Sequence, residues 1–319
     1  MKGKKENKIK RVGVLRGGAG KNYASSLQKG GEIINQIFEN LSHKYKVIDI
    51  LIDTDGVWHL SGVPIKPADL YHKVDIIWNT SNPNISVTLD NLVIPNVGNS
   101  PYVSALQNSN AMLKEHAEKL GMQMPRSIVL PLYQKDFDGP RELYAIKKAK
   151  EVFEKFSSPW IVKSFTEDTS MGIHLAQTFP ELIDAIEDGV KHEKSILVEE
   201  FIAGKVASVH SVSGFRMGDL PAQAGDIYTF PLGNSFGNFS QEEKERLSKL
   251  AKDLHKSIDA KYYLKSNFVL SPFDKVYLLG IGGTLDPNDN SHFSQVCESV
   301  GAKTHHIIDH ILEKGLMIQ

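Results

Sequence analysis

Apolar runs of strand length alternate with amphipathic helical segments over roughly the first hundred residues, and this alternation constrains the fold more than any other feature. Residues 10–16 (KRVGVLR) read as a short buried strand. The next segment places Ile33, Ile34, Ile37, Phe38 and Leu41 on one helical face. Residues 45–53 (YKVIDILID) and 74–79 (VDIIWN) are further strands, and another begins at 93–95. Strands joined by helix-length connections pair in parallel, so an α/β domain with helices on both faces of a parallel sheet is expected. The exception is Thr54–Asp55–Gly56, a hairpin turn into residues 57–60, which makes Asp53 and Asp55 structural residues. The glycine-rich turn Gly17–Gly18–Ala19–Gly20–Lys21 is not a Walker A loop. The required first glycine falls at Leu15, and Asn22 stands where Ser or Thr must follow the lysine.

Beyond a loop at 96–101, residues 103–121 read as one helix stopped by Gly121 and Pro125, followed by a strand at 127–130 and a helix at 141–156. The stretch 159–172, PWIVKSFTEDTSMG, is the most machine-like in the chain. A buried strand delivers Lys163, and a hydroxyl-rich loop closed by Gly172 follows, a form suited to covering phosphates. A helix at 179–190 leads to the strand 195–202 (SILVEEFI), which ends in paired acids beside Phe201. Antiparallel strands are expected at 206–215 and 224–230. Residues 240–258 form the clearest helix, opened by a Ser240–Glu243 capping box. A late hairpin spans 266–270 and 275–279 and precedes a Gly- and Asx-rich loop at 280–290.

At 319 residues the chain is long enough for two or three domains, and its 41% hydrophobic and 24% charged content is that of an ordinary globular protein. A formal charge of -1 favours neither nucleic acid nor an anionic membrane as partner. The basic opening MKGKKENKIKR has no apolar core behind it and reads as a solvated lead-in, not a secretory signal. No run reaches the ~18 apolar residues of a membrane span. The single cysteine, Cys297, excludes an internal disulfide, reads as a packing residue in a helix, and makes a cytoplasmic location the simplest expectation. His306 and His310 stand four apart on a helix, a metal-compatible spacing, but with no carboxylate partner they read as a solvated face.

Taken in order, these pieces resemble the D-alanine–D-alanine ligase family of the ATP-grasp superfamily. The opening VGVLRGG…SSLQKGG, the Ser104–Ala105–Leu106 helix, residues 159–172, the hinge strand Leu197–Val198–Glu199–Glu200–Phe201 and the late strand pair running on to Ser291 all follow the family's order and spacing. The resemblance implies a three-domain α/β ATP-grasp fold, with domains at 1–98, 99–192 and 193–319, and ATP held between the central and C-terminal domains. It implies catalytic positions at Ser26, Lys265 and Ser170, nucleotide contacts at Lys163, Glu167, Thr169, Ser170, Glu199, Glu200 and Phe201, and a substrate contact at Ser291. Read from the residues alone, Ser26 and Ser291 suit capping or turn roles, and Lys163 and Phe201 suit a strand end and a core position.

The same resemblance exposes losses. The family places an acid on the first strand of the late hairpin and an acid and an asparagine after the second; here those positions hold Asn267, Gly280 and Gly282. A magnesium ion needs hard oxygen donors, and losing even one electrostatic stabiliser of a transition state costs roughly 3–4 kcal/mol. ATP is therefore an expected ligand, whereas bound Mg2+ is not. Asn22, Ala24, Asn82, Asn110 and Val206 likewise stand at family acid, histidine or lysine positions, and the family arginine becomes Lys265, which keeps charge but not a bidentate fork. The family's Tyr–Lys loop has no counterpart in residues 221–231. Asp274, Asp286, Asp289 and Asn290 read as turn formers, with Asp286 and Asp289 the candidates for relocated metal ligands. The leading expectation is a ligase homologue impaired in catalysis that binds a small molecule, a nucleotide or D-alanine, alone or as a homodimer. The alternatives are an active dipeptide ligase with relocated ligands and a non-catalytic ATP sensor.

Overall fold

The computed structural model describes residues 9–20, 22–165, 171–192, 194–218, 226–232 and 238–317. The N-terminal third runs β1 (Lys10–Gly17), α1 (Tyr23–Asn40), β2 (Tyr45–Ile52), β3 (Trp58–Leu60), β4 (Val63–Ile65), β5 (Ile76–Asn79), α2 (Ile85–Asn91), β6 (Asn96–Gly98) and α3 (Pro101–Gln107). The middle runs α4 (Asn110–Lys119), β7 (Ser127–Leu130), the short α5 (Tyr133–Asp136), α6 (Arg141–Lys155), β8 (Trp160–Ser164), β9 (His174–Ala176), α7 (Phe179–Lys191) and β10 (Ile196–Glu200). The rest comprises β11 (Lys205–Ser213), β12 (Ile227–Thr229), α8 (Gln241–Ser257), β13 (Tyr263–Leu270), β14 (Val276–Gly282), α9 (His292–Glu298) and α10 (Thr304–Met317).

The expected α/β organisation is present. Strand β1 lies parallel to both β2 and β5, and β5 lies parallel to β6, in a sheet ordered β4-β3-β2-β1-β5-β6. Four consecutive residues of β1, Val12 to Leu15, are buried, as a strand covered on both faces requires. The hairpin forms at the expected turn, where Asp53 Oδ1 accepts from the backbone N–H of Asp55 at 3.0 Å and of Val57 at 2.8 Å. Its Oδ2 lies 2.8 Å from His59 Nε2, so Asp53 is structural. Gly17 takes a positive φ of 86°, and a β-carbon there would collide with the carbonyl oxygen of Ile52. The glycine turn thus serves to bring β1 against the end of β2.

Two expected elements are placed differently. The strand expected from 93 begins at Asn96 instead. Val93 sits at a positive φ of 55°, and the Ile94 N–H turns back to Leu89 O at 2.9 Å, so these residues close α2. The single helix expected over 103–121 is two helices. Ser109, extended at φ -138°, caps α4 by accepting from the Met112 N–H, which interrupts any continuous helix.

By contacts the chain groups into two compact units, residues 1–107, 207–267 and 281–319 in one and 108–206 with 268–280 in the other. Helix α10 packs on β5 and β6, and one core joins Val12, Ile76 and Val97 to Phe293, Ile307 and Ile311. Gly315 permits that seat: a β-carbon there would lie 2.5 Å from Val97 Cγ1 and 2.6 Å from Ile76 Cδ1. Gly315→Val is expected to cost about 1–3 kcal/mol through overpacking, measured by urea unfolding. An unchanged midpoint would mean that α10 is not held there.

In the second unit, β7-β10-β8-β9 form an antiparallel sheet. Trp160, Val162, Ile196 and Val198 point into a core with Tyr144, Val152, Leu182 and Ile186 of α6 and α7. The remaining sheet has the order β12-β11-β13-β14. Helix α8 starts with the capping box expected of Ser240 and Glu243. Among the described residues, no helix is long and apolar enough to cross a membrane.

Candidate functional site

Because Trp160, Val162, Ile196 and Val198 fill the core, strand alternation sends Lys163, Leu197 and Glu199 to the opposite face of the β8–β10 ladder. Lys163 is paired with Leu197 in the register, one step diagonal to Glu199. Its Nζ lies 2.5 Å from Glu199 Oε2, and the Glu199 side chain is only 8% exposed. Asn110 of α4 donates from Nδ2 to Glu199 Oε1 at 3.3 Å and lies 3.2 Å from Ser127 Oγ. The ammonium is therefore already neutralised by a buried carboxylate. Glu200 faces the other way and receives two hydrogen bonds from the Arg126 guanidinium, at 2.9 and 2.8 Å. That guanidinium holds the Glu200 carboxyl below the usual range. Phe201 is 39% exposed and its N–H donates to Pro159 O at 3.0 Å. Glu167, Thr169 and Ser170 lie outside the described residues.

A second polar group occupies one face of β11 and β13 within the first unit. Ser208 and His210 alternate along β11, and Tyr263, Lys265 and Asn267 alternate along β13. Ser208 Oγ donates to Asn267 Oδ1 at 2.7 Å. His210 is 2% exposed, with Nδ1 2.7 Å from the Tyr263 hydroxyl and Nε2 2.8 Å from Nδ1 of His292, at the start of α9. Burial, then His292 and Lys265, push the His210 pKa well below its ordinary value, and burial with Lys265 lowers His292. The sequence reading singled out neither histidine. The available signal was the period-2 row of polar residues in otherwise apolar strands.

The family described as D-ala D-ala ligase C-terminus matches residues 123–219. The D-alanine–D-alanine ligase of Halalkalibacterium halodurans is 28% identical over 62% of this chain and 59% of its own length. That of Geotalea uraniireducens is 22% identical over 96% of both chains. The structure of D-alanyl-alanine synthetase A from Vibrio cholerae matches with a TM-score of 0.70 at 15% identity, covering 97% of this chain and 99% of that one. The D-alanine–D-alanine ligase from Bacillus anthracis, complexed with ATP, matches with a TM-score of 0.68 at 19% identity, over 97% and 98%. The chain is similar to D-alanine–D-alanine ligases over nearly its whole length. Its fold is that of the ATP-grasp ligases.

Set beside the ligase family's pattern, the positions assigned to a cation offer few donors. The Asn267 amide oxygen is engaged by Ser208, and Gly280 and Gly282 have no side chains. Asp286 Oδ1 accepts from the Asn288 N–H at 3.3 Å, and Asp289 Oδ1 accepts from Gln36 Nε2 at 2.9 Å. Among the described residues, no three His, Cys, Asp or Glu side chains come together as a metal would need.

Ser26 is buried and accepts from the Gly17 N–H at 2.9 Å, fixing the turn after β1. Ser291 caps α9, accepting from the Ser294 N–H at 3.1 Å and donating to Asp286 O at 3.1 Å. Lys265 has no ionic partner among the described residues, and its Cβ lies 3.8 Å from where a Gly282 side chain would start. Cys297 is fully buried, and burial pushes its thiol up to about 12, which leaves it inert as a nucleophile. His310 departs from the solvated face expected of it. Its ring packs edge-on against Phe215 at 5.3 Å and Nε2 donates to Ser213 O at 2.9 Å, because this side of α10 meets the end of β11.

Proposed function

We propose that this chain keeps the ATP-grasp scaffold as a nucleotide- or ligand-binding protein and is impaired in ligation. One observation supports the reading above the others: the positions that the resemblance gives to the cation hold Asn267, already hydrogen-bonded to Ser208, and two glycines. Acyl-phosphate chemistry develops charge on a transferring phosphoryl group, and an enzyme without a cation there forfeits a large part of its electrostatic stabilisation. ATP is the ligand proposed first, since a structural neighbour is described as complexed with ATP.

The second reading is an active ATP-dependent D-alanine–D-alanine ligase. The names of the relatives, matched over nearly the full chain, favour it over the first. A coupled ADP-release assay with ATP, D-alanine and Mg2+ separates the two. The proposed reading expects no D-alanine-dependent release above the enzyme-free rate. Steady dipeptide-forming turnover would refute it and establish the ligase.

A further inference from the structure

Helix α8 buries Leu247, Ala251 and Leu254 and packs beside β12, an edge strand of its sheet. Just past β12, the Phe230 N–H still donates to His210 O at 2.9 Å. The next residue, Pro231, has no N–H, so the ladder cannot continue through it. Here an open cleft of about 710 Å³ forms, with residues 229–232 as one wall and α8 from Gln241 to Lys252 as the other. That volume suits a small ligand or a short peptide. The cleft shares no residue with either polar group described above.

Charge in the cleft is unevenly placed. Lys244, Lys249 and Lys252 line it against one acid, Glu245. Among the described residues, Lys244 and Lys249 form no ion pair, and both are exposed. Lys252 is half-buried, and burial, then the neighbouring Lys256, lowers its pKa. Glu245 is engaged by Gln241, which donates from Nε2 to Oε1 at 2.8 Å. Lys244 and Lys252 are eight residues apart, about 12 Å along the helix axis. The facing wall offers Pro231, which is exposed, and Leu232, which is half-buried.

These features select among anions. A compact polyphosphate gathers its charge at one point, cannot span the row of lysines, and would meet Glu245 within it. The apolar wall would add nothing to its binding. An extended chain can set separated carboxylates against the lysines, pass Glu245 with an uncharged residue, and lay an apolar side chain on Leu232. We propose that this cleft docks a short extended segment of a partner protein that carries spaced carboxylates and an apolar side chain. Such docking depends on neither the nucleotide reading nor the ligase reading.

The test is calorimetric titration of the full chain with three probes: a capped hexapeptide alternating glutamate and leucine, the same peptide with glutamine for glutamate, and inorganic triphosphate. The glutamate peptide is expected to bind about tenfold or more tighter than the other two, and to weaken about tenfold between roughly 0.05 and 0.5 M salt. Lys244→Ala and Lys249→Ala should each weaken it about two- to fivefold, the worth of an exposed ion pair. The double reversal Lys244→Glu with Lys249→Glu should abolish binding, and Leu232→Ser should weaken the peptide while leaving triphosphate unchanged. Thermal melts of the lysine variants, substituted at exposed positions, should match the parent. Equal binding of the glutamine peptide, tighter binding of triphosphate, or no binding of the glutamate peptide overturns the proposal. So does peptide binding indifferent to the double reversal or to Leu232→Ser. Self-association of the parent chain that the double reversal removes, read by sedimentation, would assign the cleft to a second copy and overturn it as well.

Discussion

Replacing Lys163 with alanine is expected to lower the unfolding free energy by about 2–3 kcal/mol, below the ~3–5 kcal/mol of a fully buried ion pair because the lysine side chain is 31% exposed. Among the described residues Glu199, with a side chain 8% exposed, would keep only Asn110 at 3.3 Å to offset its charge in place of an ammonium at 2.5 Å. Most of the loss is the uncompensated carboxylate, not the value of the pair. The double variant Lys163→Met with Glu199→Gln should therefore recover the larger share, and Lys163→Arg should lose little. Urea unfolding of the set measures it. A loss below about 1 kcal/mol for Lys163→Ala would mean that the pair behaves as a solvated surface bridge. The outcome bears on function: a lysine that holds Glu199 in place can meet a phosphate only by sharing or leaving that carboxylate.

What the sequence discloses here is local. The buried run Val12 to Leu15, the Asp53 turn and the Ser240–Glu243 capping box are written in adjacent residues, and each forms as the spacing requires. Period and capping chemistry act within a few residues, so one segment suffices to read them. The features that escape depend on residues far apart in the chain. His210 and His292 are separated by 82 positions, and no pattern in either strand or helix announces their meeting. Lys163 was legible as a strand-borne ammonium, but its partner Glu199 became visible only through the β8–β10 register. The break at Ser109 was lost because Leu106, Leu113 and Ala117 keep an apolar stripe across it, so the periodicity runs on where the backbone does not. Resemblance reached further than periodicity. It carries the expectation that Asn267, Gly280 and Gly282 stand at the cation positions, though not that Asn267 is held by Ser208.

Stability is expected to fall as the pH is lowered from 7 to 5, before carboxylate protonation dominates. His255 is 2% exposed, with Nδ1 2.8 Å from Ser211 Oγ, and burial pushes its pKa from 6.5 to about 4. His210 is pushed down in the same direction, again chiefly by burial. In the unfolded chain both titrate near 6.5. Between about 6.5 and 4 the unfolded state therefore binds more protons than the folded one, and the unfolding free energy decreases as pH falls through that window. For His255 alone the full effect is about 3 kcal/mol, reached only near pH 4. Asp53, Asp75 and Glu200 have lowered values, so they lose their contribution at lower pH, below the ordinary carboxylate range. Urea midpoints at pH 7.5, 6.0 and 5.0 should decline steadily. His255→Gln should remove about one proton from the slope, whatever its stability at neutral pH. A midpoint constant from pH 7.5 to 5.0 would show that these imidazoles accept protons in the folded state.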